Sequence, residues 1–149
     1  MNKHLTNWQR NGWLEKHQAS PQETRELLNI ADRDLADCQT QSLSSDWKLS
    51  IAHNAALKSA TAALAACGYR ATREAHHYRV VQSLSHTIGA NSSLVSQLDS
   101  FRRKRNISDY DRAGSVSEQE AKEMLKLAQK LRSSVETWIK KNHPQLLPK

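Results

Sequence analysis

Eight alanines lie between Ala52 and Ala66. Alanine is the best helix former, and its small side chain lets a neighbouring helix come close to the backbone. The run is bounded by Ser44 and Ser45, either of which can cap a helix start, and by Gly68, which tolerates the left-handed backbone that closes a helix. A central helix over about 46–67 is therefore expected, with Trp47 and Ile51 filling space at one end. Seventeen Leu against five Val and five Ile leave little strand-forming material. The chain reads as an all-α, up-and-down bundle of five or six helices.

The other helices are marked at their ends. Ser20-Pro21-Gln22-Glu23 combines a cap, a proline suited to the first helical position and a glutamate able to complete a capping box, so a helix over about 21–43 follows. Its five acids, Glu23, Glu26, Asp32, Asp34 and Asp37, make it the acidic element of a chain whose formal charge is +7. A second box, Ser117 to Glu120, opens a helix over 117–142 that Asn142 and Pro144 end. Between these, helical spacing predicts a short helix within 4–18, interrupted at Gly12, a helix over 72–88 and another over 93–105. An irregular linker is expected over 106–116. The 149 residues form one domain, with N-terminal helices over 1–45, a core over 46–142 and a tail over 143–149.

Cys38 and Cys67 lack zinc spacing and fit buried free thiols better than a disulfide. No apolar run reaches the roughly 20 residues of a membrane span, and the first residues are too polar for a signal peptide, so a soluble cytoplasmic protein is expected.

The strongest local charge is Arg102-Arg103-Lys104-Arg105, followed by Asn106, Asp109 and Tyr110. Four cations at a helix C-terminus are favoured by the dipole and can be a solvated end. Guanidinium groups also donate in a planar fork that suits phosphate, here beside Asn106 and the ring of Tyr110. Both readings are compatible. His53 lies one turn from Leu49 and Leu57 and is expected to pack. His77 falls beside the apolar face of the 72–88 helix and reads as structural, while His4, His17, His86 and His143 have no recognisable context. No His, Asp or Glu set has metal-ligand spacing, no Gly-rich phosphate loop is visible, and no metal or cofactor is expected.

Three segments resemble the HEPN superfamily of nucleotide-binding helical domains: Trp47 to Leu57 ending in Cys67-Gly68-Tyr69-Arg70, then Ala75-His76-His77-Tyr78, then Arg105-Asn106-Ile107-Ser108-Asp109-Tyr110. Together they span about 46–140. The resemblance implies a four-helix core over 46–142 and a site in which Arg102, Arg103, Lys104, Arg105 and Asn106 bind the phosphates of RNA or a nucleotide. Arg105 and Tyr110 are then the pair through which a metal-independent ribonuclease would act, and Asn54 and Asp109 support them from behind. The family motif carries His where this chain has Tyr110, and a phenol with a reference pKa near 10 is a poor base at neutral pH, which weighs against catalysis. The resemblance also implies a homodimer, a toxin–antitoxin or defence setting, and a nucleotidyltransferase or antitoxin as partner. A reading of another class is a protein-interaction module that works by helix packing.

Overall fold

The computed structural model describes residues 2–73, 75–110 and 116–148, with the side chains of 106–110 outside the description. In chain order come α1 (Lys3–Arg10), β1 (Leu14–Lys16), α2 (Pro21–Asp37), α3 (Ser45–Ala66), β2 (Tyr69–Ala71), α4 (His76–Ser83), α5 (Ser92–Tyr110) and α6 (Glu118–Asn142). The all-α bundle is as expected.

At the centre stands α3, packed most extensively against α6 and then against α2. Ala52, Ala55, Ala56, Ala60, Ala62 and Ala63 are all buried along it, so its neighbours rest almost on its backbone. From α6, Ala121, Met124, Ala128, Leu131, Val135 and Ile139 recur at helical spacing and are all buried. Apolar residues surround α3 on every side, so periodicity alone cannot say which are covered. Trp47 is a consequence: it does not fill the core but is 63% exposed.

The caps work as local chemistry dictates, with one change. Ser44 accepts from Trp47 N, and Ser117 and Glu120 form a reciprocal box. Ser20 accepts from Glu23 N, but the Glu23 carboxylate pairs with His17 Nε2 at 2.8 Å instead of completing its box. Past Cys38 the polar Gln39, Thr40, Gln41 and Ser42 offer nothing to bury, and α2 stops at Asp37 rather than near 43.

The N-terminal segment departs most from the helical expectation. Gly12 at φ 78° reverses the chain after α1, and Leu14–Lys16 then pairs antiparallel with Tyr69–Ala71, Glu15 opposite Arg70. Thr72 N donates to Trp13 O at 3.0 Å, so residue 72 is committed to this strap and cannot begin a helix. The fourth helix starts only at His76, after Ala75 in a left-handed conformation (φ 51°, ψ 37°). At its far end tight turns replace the expected continuation to 88, closing at Gly89 with φ 73°. His4 stacks on His86 with centroids 4.2 Å apart, and this seats α1 on that turn.

The fifth helix is longer than expected. No Gly or Pro falls between Phe101 and Tyr110, and the helix runs on to Tyr110 where a linker was foreseen from 106. Of the rest of that linker, residues 111–115 lie outside the described residues and Val116 is buried. Cys38 is buried, Cys67 is half-buried, and both are free thiols. Leu146 and Leu147 return to the core after α6 and are buried. Among the described residues no helix is long and apolar enough to cross a membrane.

Ala60 and Ala63 are 1% and 0% exposed, so Ala60→Leu or Ala63→Leu should overpack the contact and lower the unfolding free energy by about 1–3 kcal/mol in urea denaturation. Unchanged stability would mean the neighbouring helices are not in close contact there.

Candidate phosphate-binding site

Because α5 continues past Arg105, the basic run is not a helix end. Its cations stand within the helix and point in different directions, and Arg102, Arg103 and Lys104 each answer to a carboxylate rather than to the terminal carbonyls. Lys104 turns to α6 and pairs with Glu120 at 2.8 Å. Arg103 is mostly exposed and reaches Asp99 at 3.3 Å. Arg102 is largely enclosed, with Nε 2.7 Å from Asp99 Oδ1 and its guanidinium carbon 5.5 Å from the centroid of the Tyr78 ring. Asp99 is itself buried, so it fixes Arg102 and removes part of the charge of the run.

Arg102 and Arg105 lie three positions apart, hence on one face of α5. Two histidines from other helices meet that face. His53 of α3 is fully buried, with Nε2 3.2 Å from the carbonyl oxygen of Leu98 in α5. A carbonyl only accepts, so Nε2 carries the proton and Nδ1 is left with a lone pair. Nδ1 is buried and has no hydrogen-bond partner among the described residues. Burial, and next the positive charge of Arg105, pull the His53 pKa down to about 4. His77, in the first turn of α4, is also lowered, first by partial desolvation and then by Arg105, His76, Arg102 and Lys58. Both shifts favour the neutral imidazole, through loss of water first and through the surrounding positive charge second.

Beside this cluster an open cleft of about 500 Å³ is lined by Ala75, His76, His77, Tyr78 and Arg102. The left-handed Ala75 opens α4, so His76, His77 and Tyr78 stand in its first turn and line this space together. The arrangement is strongly biased towards an anion. Among the described residues its lining holds one cation, Arg102, and two imidazoles, and no carboxylate.

Of the residues anticipated for the site, Arg102 and Arg105 come together, whereas Arg103 and Lys104 turn away. The side chains of Asn106, Asp109 and Tyr110 lie outside the described residues. Asn54 does not support the motif: its Nδ2 donates to Asp34 Oδ2 of α2 at 2.6 Å. A helix turns about 100° per residue, and it is the preceding residue, His53, that faces α5. His53 packs as expected, yet it also borders the arginines. His77 and Tyr78 were missed as site residues because nothing in their local spacing tells that α5 passes beside them. Among the described residues no three His, Cys, Asp or Glu side chains gather in a way that would hold a metal ion.

The family model for the HEPN domain matches residues 24–138, from the first turn of α2 into the last turns of α6. The match takes in α2, which the motifs alone did not cover. Among curated proteins no match to the chain is found.

The His53 pKa has a consequence for stability. Its value falls from 6.5 unfolded to about 4 folded, so the unfolded chain takes up a proton first as pH drops. The stabilisation is complete above 6.5 and is lost between 6.5 and about 4, a change of about 3 kcal/mol. His53→Gln, which keeps a donor for Leu98, should lose about 2–3 kcal/mol less stability than the wild type between pH 7 and pH 4 in urea denaturation. Parallel pH profiles would show that His53 is not buried in its neutral form.

Proposed function

The chain belongs to the HEPN family, and from that premise we propose that it binds the phosphates of RNA or of a nucleotide through Arg102, Arg105 and His77. The observation that carries this reading is the meeting of Arg102 and the His77 imidazole on the wall of an open cleft, with Arg105 on the same face of α5 and near enough to act on His77. Guanidinium groups suit phosphate oxygens, and an anion in the cleft would offset the positive charge that, after desolvation, lowers the His77 pKa.

The reading extends to a setting of toxin–antitoxin or defence type, with the chain acting as a homodimer and with a nucleotidyltransferase or antitoxin as partner. Family membership supports that extension. The acidic α2 is not free to offset a second chain's basic run in full. Within the chain Glu23 already holds His17, Asp32 accepts Arg132 through both oxygens at 2.7 and 2.9 Å, and Asp34 holds Asn54.

A second reading, metal-independent cleavage of RNA at the same place, is favoured by the position of His77 beside Arg102. A neutral imidazole suits the task of accepting a ribose 2′-hydroxyl proton. The 2′-oxygen would bond to the adjacent phosphorus while the 5′-oxygen leaves with a proton from water. If so, His77→Ala should remove cleavage of single-stranded RNA and leave binding nearly intact. Cleavage lost in Tyr110→Phe but kept in His77→Ala would assign the proton transfer to Tyr110.

For binding itself, Arg105→Ala should remove most RNA affinity in filter binding. Arg102→Ala should cost less and reduce the slope of log affinity against log salt by about one. Lys104→Ala, whose side chain is spent on Glu120, should change affinity by less than about twofold, as a surface ion pair contributes little. Equal losses for Lys104→Ala and Arg105→Ala would mean that diffuse charge, not this cleft, holds the polyanion.

A further inference from the structure

The cleft has a feature that phosphate binding does not use. Among the described residues two large apolar side chains are left exposed, Trp47 and Tyr78, and Tyr78 lies on the cleft wall beside His76, His77 and Arg102. Its surroundings are ordered. The guanidinium carbon of Arg79 is 3.7 Å from the centroid of the Trp13 ring and 5.3 Å from that of Tyr78, and Arg102 approaches Tyr78 at 5.5 Å. Trp13, Arg79, Tyr78 and Arg102 thus form a continuous run of alternating rings and cations. Arg79 Nε is buried without a hydrogen-bond partner among the described residues, and its guanidinium lies against the Trp13 ring.

The run is anchored from outside the segment that matches the family. Trp13 lies before residue 24 and is tied by backbone hydrogen bonds at 3.0 Å to Trp8 O and from Thr72 N. The β1–β2 strap thereby places Trp13 beneath Arg79, and Arg79 beside Tyr78. Ala75, immediately before His76, is strained by its positive φ; such strain persists where surrounding structure holds it and is common where a site is presented. A cation-flanked aromatic ring with open surface is what an unpaired base stacks upon.

We propose that Tyr78 is a stacking platform for an unpaired nucleobase whose adjoining phosphate is held by Arg102 and Arg105, which makes the ligand a single strand or a free nucleotide and excludes a paired duplex. This rests on the reading of the cleft as a phosphate site. A duplex keeps its bases stacked on one another and offers the ring nothing, whereas every unpaired base has a π-face.

Fluorescence anisotropy with fluorescein-labelled probes about twelve nucleotides long separates the contributions: a mixed-sequence single-stranded RNA, its blunt duplex, and an abasic ribose-phosphate strand. The wild type should bind the single strand most tightly. Tyr78→Ala should weaken single-strand binding by between about fivefold and a hundredfold, to the level of the abasic probe, and leave abasic binding unchanged. Tyr78→Phe should retain the preference, and Trp13→Leu should reduce it in part, with far-UV circular dichroism confirming that each variant is folded. Displacement of the strand by adenosine monophosphate would assign the site to a free nucleotide; failure to displace it would assign the site to a strand. Equal wild-type affinity for single-stranded and abasic probes, or equal loss of both in Tyr78→Ala, would overturn the platform and leave the phosphate reading in place. Abasic binding indifferent to Arg105→Ala would overturn the phosphate reading itself.

Discussion

The close approach of neighbouring helices to α3 is the constraint from which the rest of the molecule follows. Alanine at 52, 55, 56, 60, 62 and 63 removes the side-chain bulk that ordinarily keeps helices 8–10 Å apart. With α2 and α6 occupying much of its circumference, α4 and α5 pack on what remains, and His53 meets the Leu98 carbonyl there. That contact sets the register of α5 against α3 and so brings Arg102 and Arg105 to the histidines. The site is therefore a by-product of how a small-residue helix is wrapped, and a bulky residue on α3 should disturb it from a distance.

Polar groups refine this arrangement. Asp99 is buried where a neutral side chain would cost less, and it spends its charge on holding Arg102. Buried ion pairs contribute little net stability but fix geometry when every partner is satisfied. Asp34 does the same between α2 and α3 through Asn54. Burial first, and the clustered positive charge second, favour the neutral form of His53 and His77, and of the two it is His77 that lines the cleft. The N-terminal strap adds a wall: without Trp13, Arg79 would lose its closest ring contact.

Helix ends were legible because capping is local chemistry. Ser44, Ser117 with Glu120, and Gly68 act within a few residues of themselves, and α3 and α6 start and stop close to where those residues stand. The alanine run likewise announced a central helix. What stayed hidden depends on residues far apart in the chain. Leu14 and Ala71 pair across the molecule in strands of three residues, too short to carry a periodic signal. Asn54 and His53 are adjacent in sequence, and on a helix one residue is a different face: His53 turns to α5 and Asn54 to α2. The four consecutive cations looked like one patch, yet consecutive positions on a helix diverge by construction, and only the pair at i and i+3 converges.

The central claim is that an anion bound in the cleft is felt by His77. Its pKa is depressed in the free protein by partial desolvation and by Arg105, His76, Arg102 and Lys58, and a phosphate seated among these groups offsets their charge. Following the His77 imidazole by two-dimensional NMR across pH, with and without a saturating dinucleotide, measures this directly. The account predicts that the pKa rises from below 6.5 on binding, and that the rise disappears in Arg105→Ala. An imidazole whose titration is the same with and without the dinucleotide, while binding is saturated, would place the ligand elsewhere and contradict it.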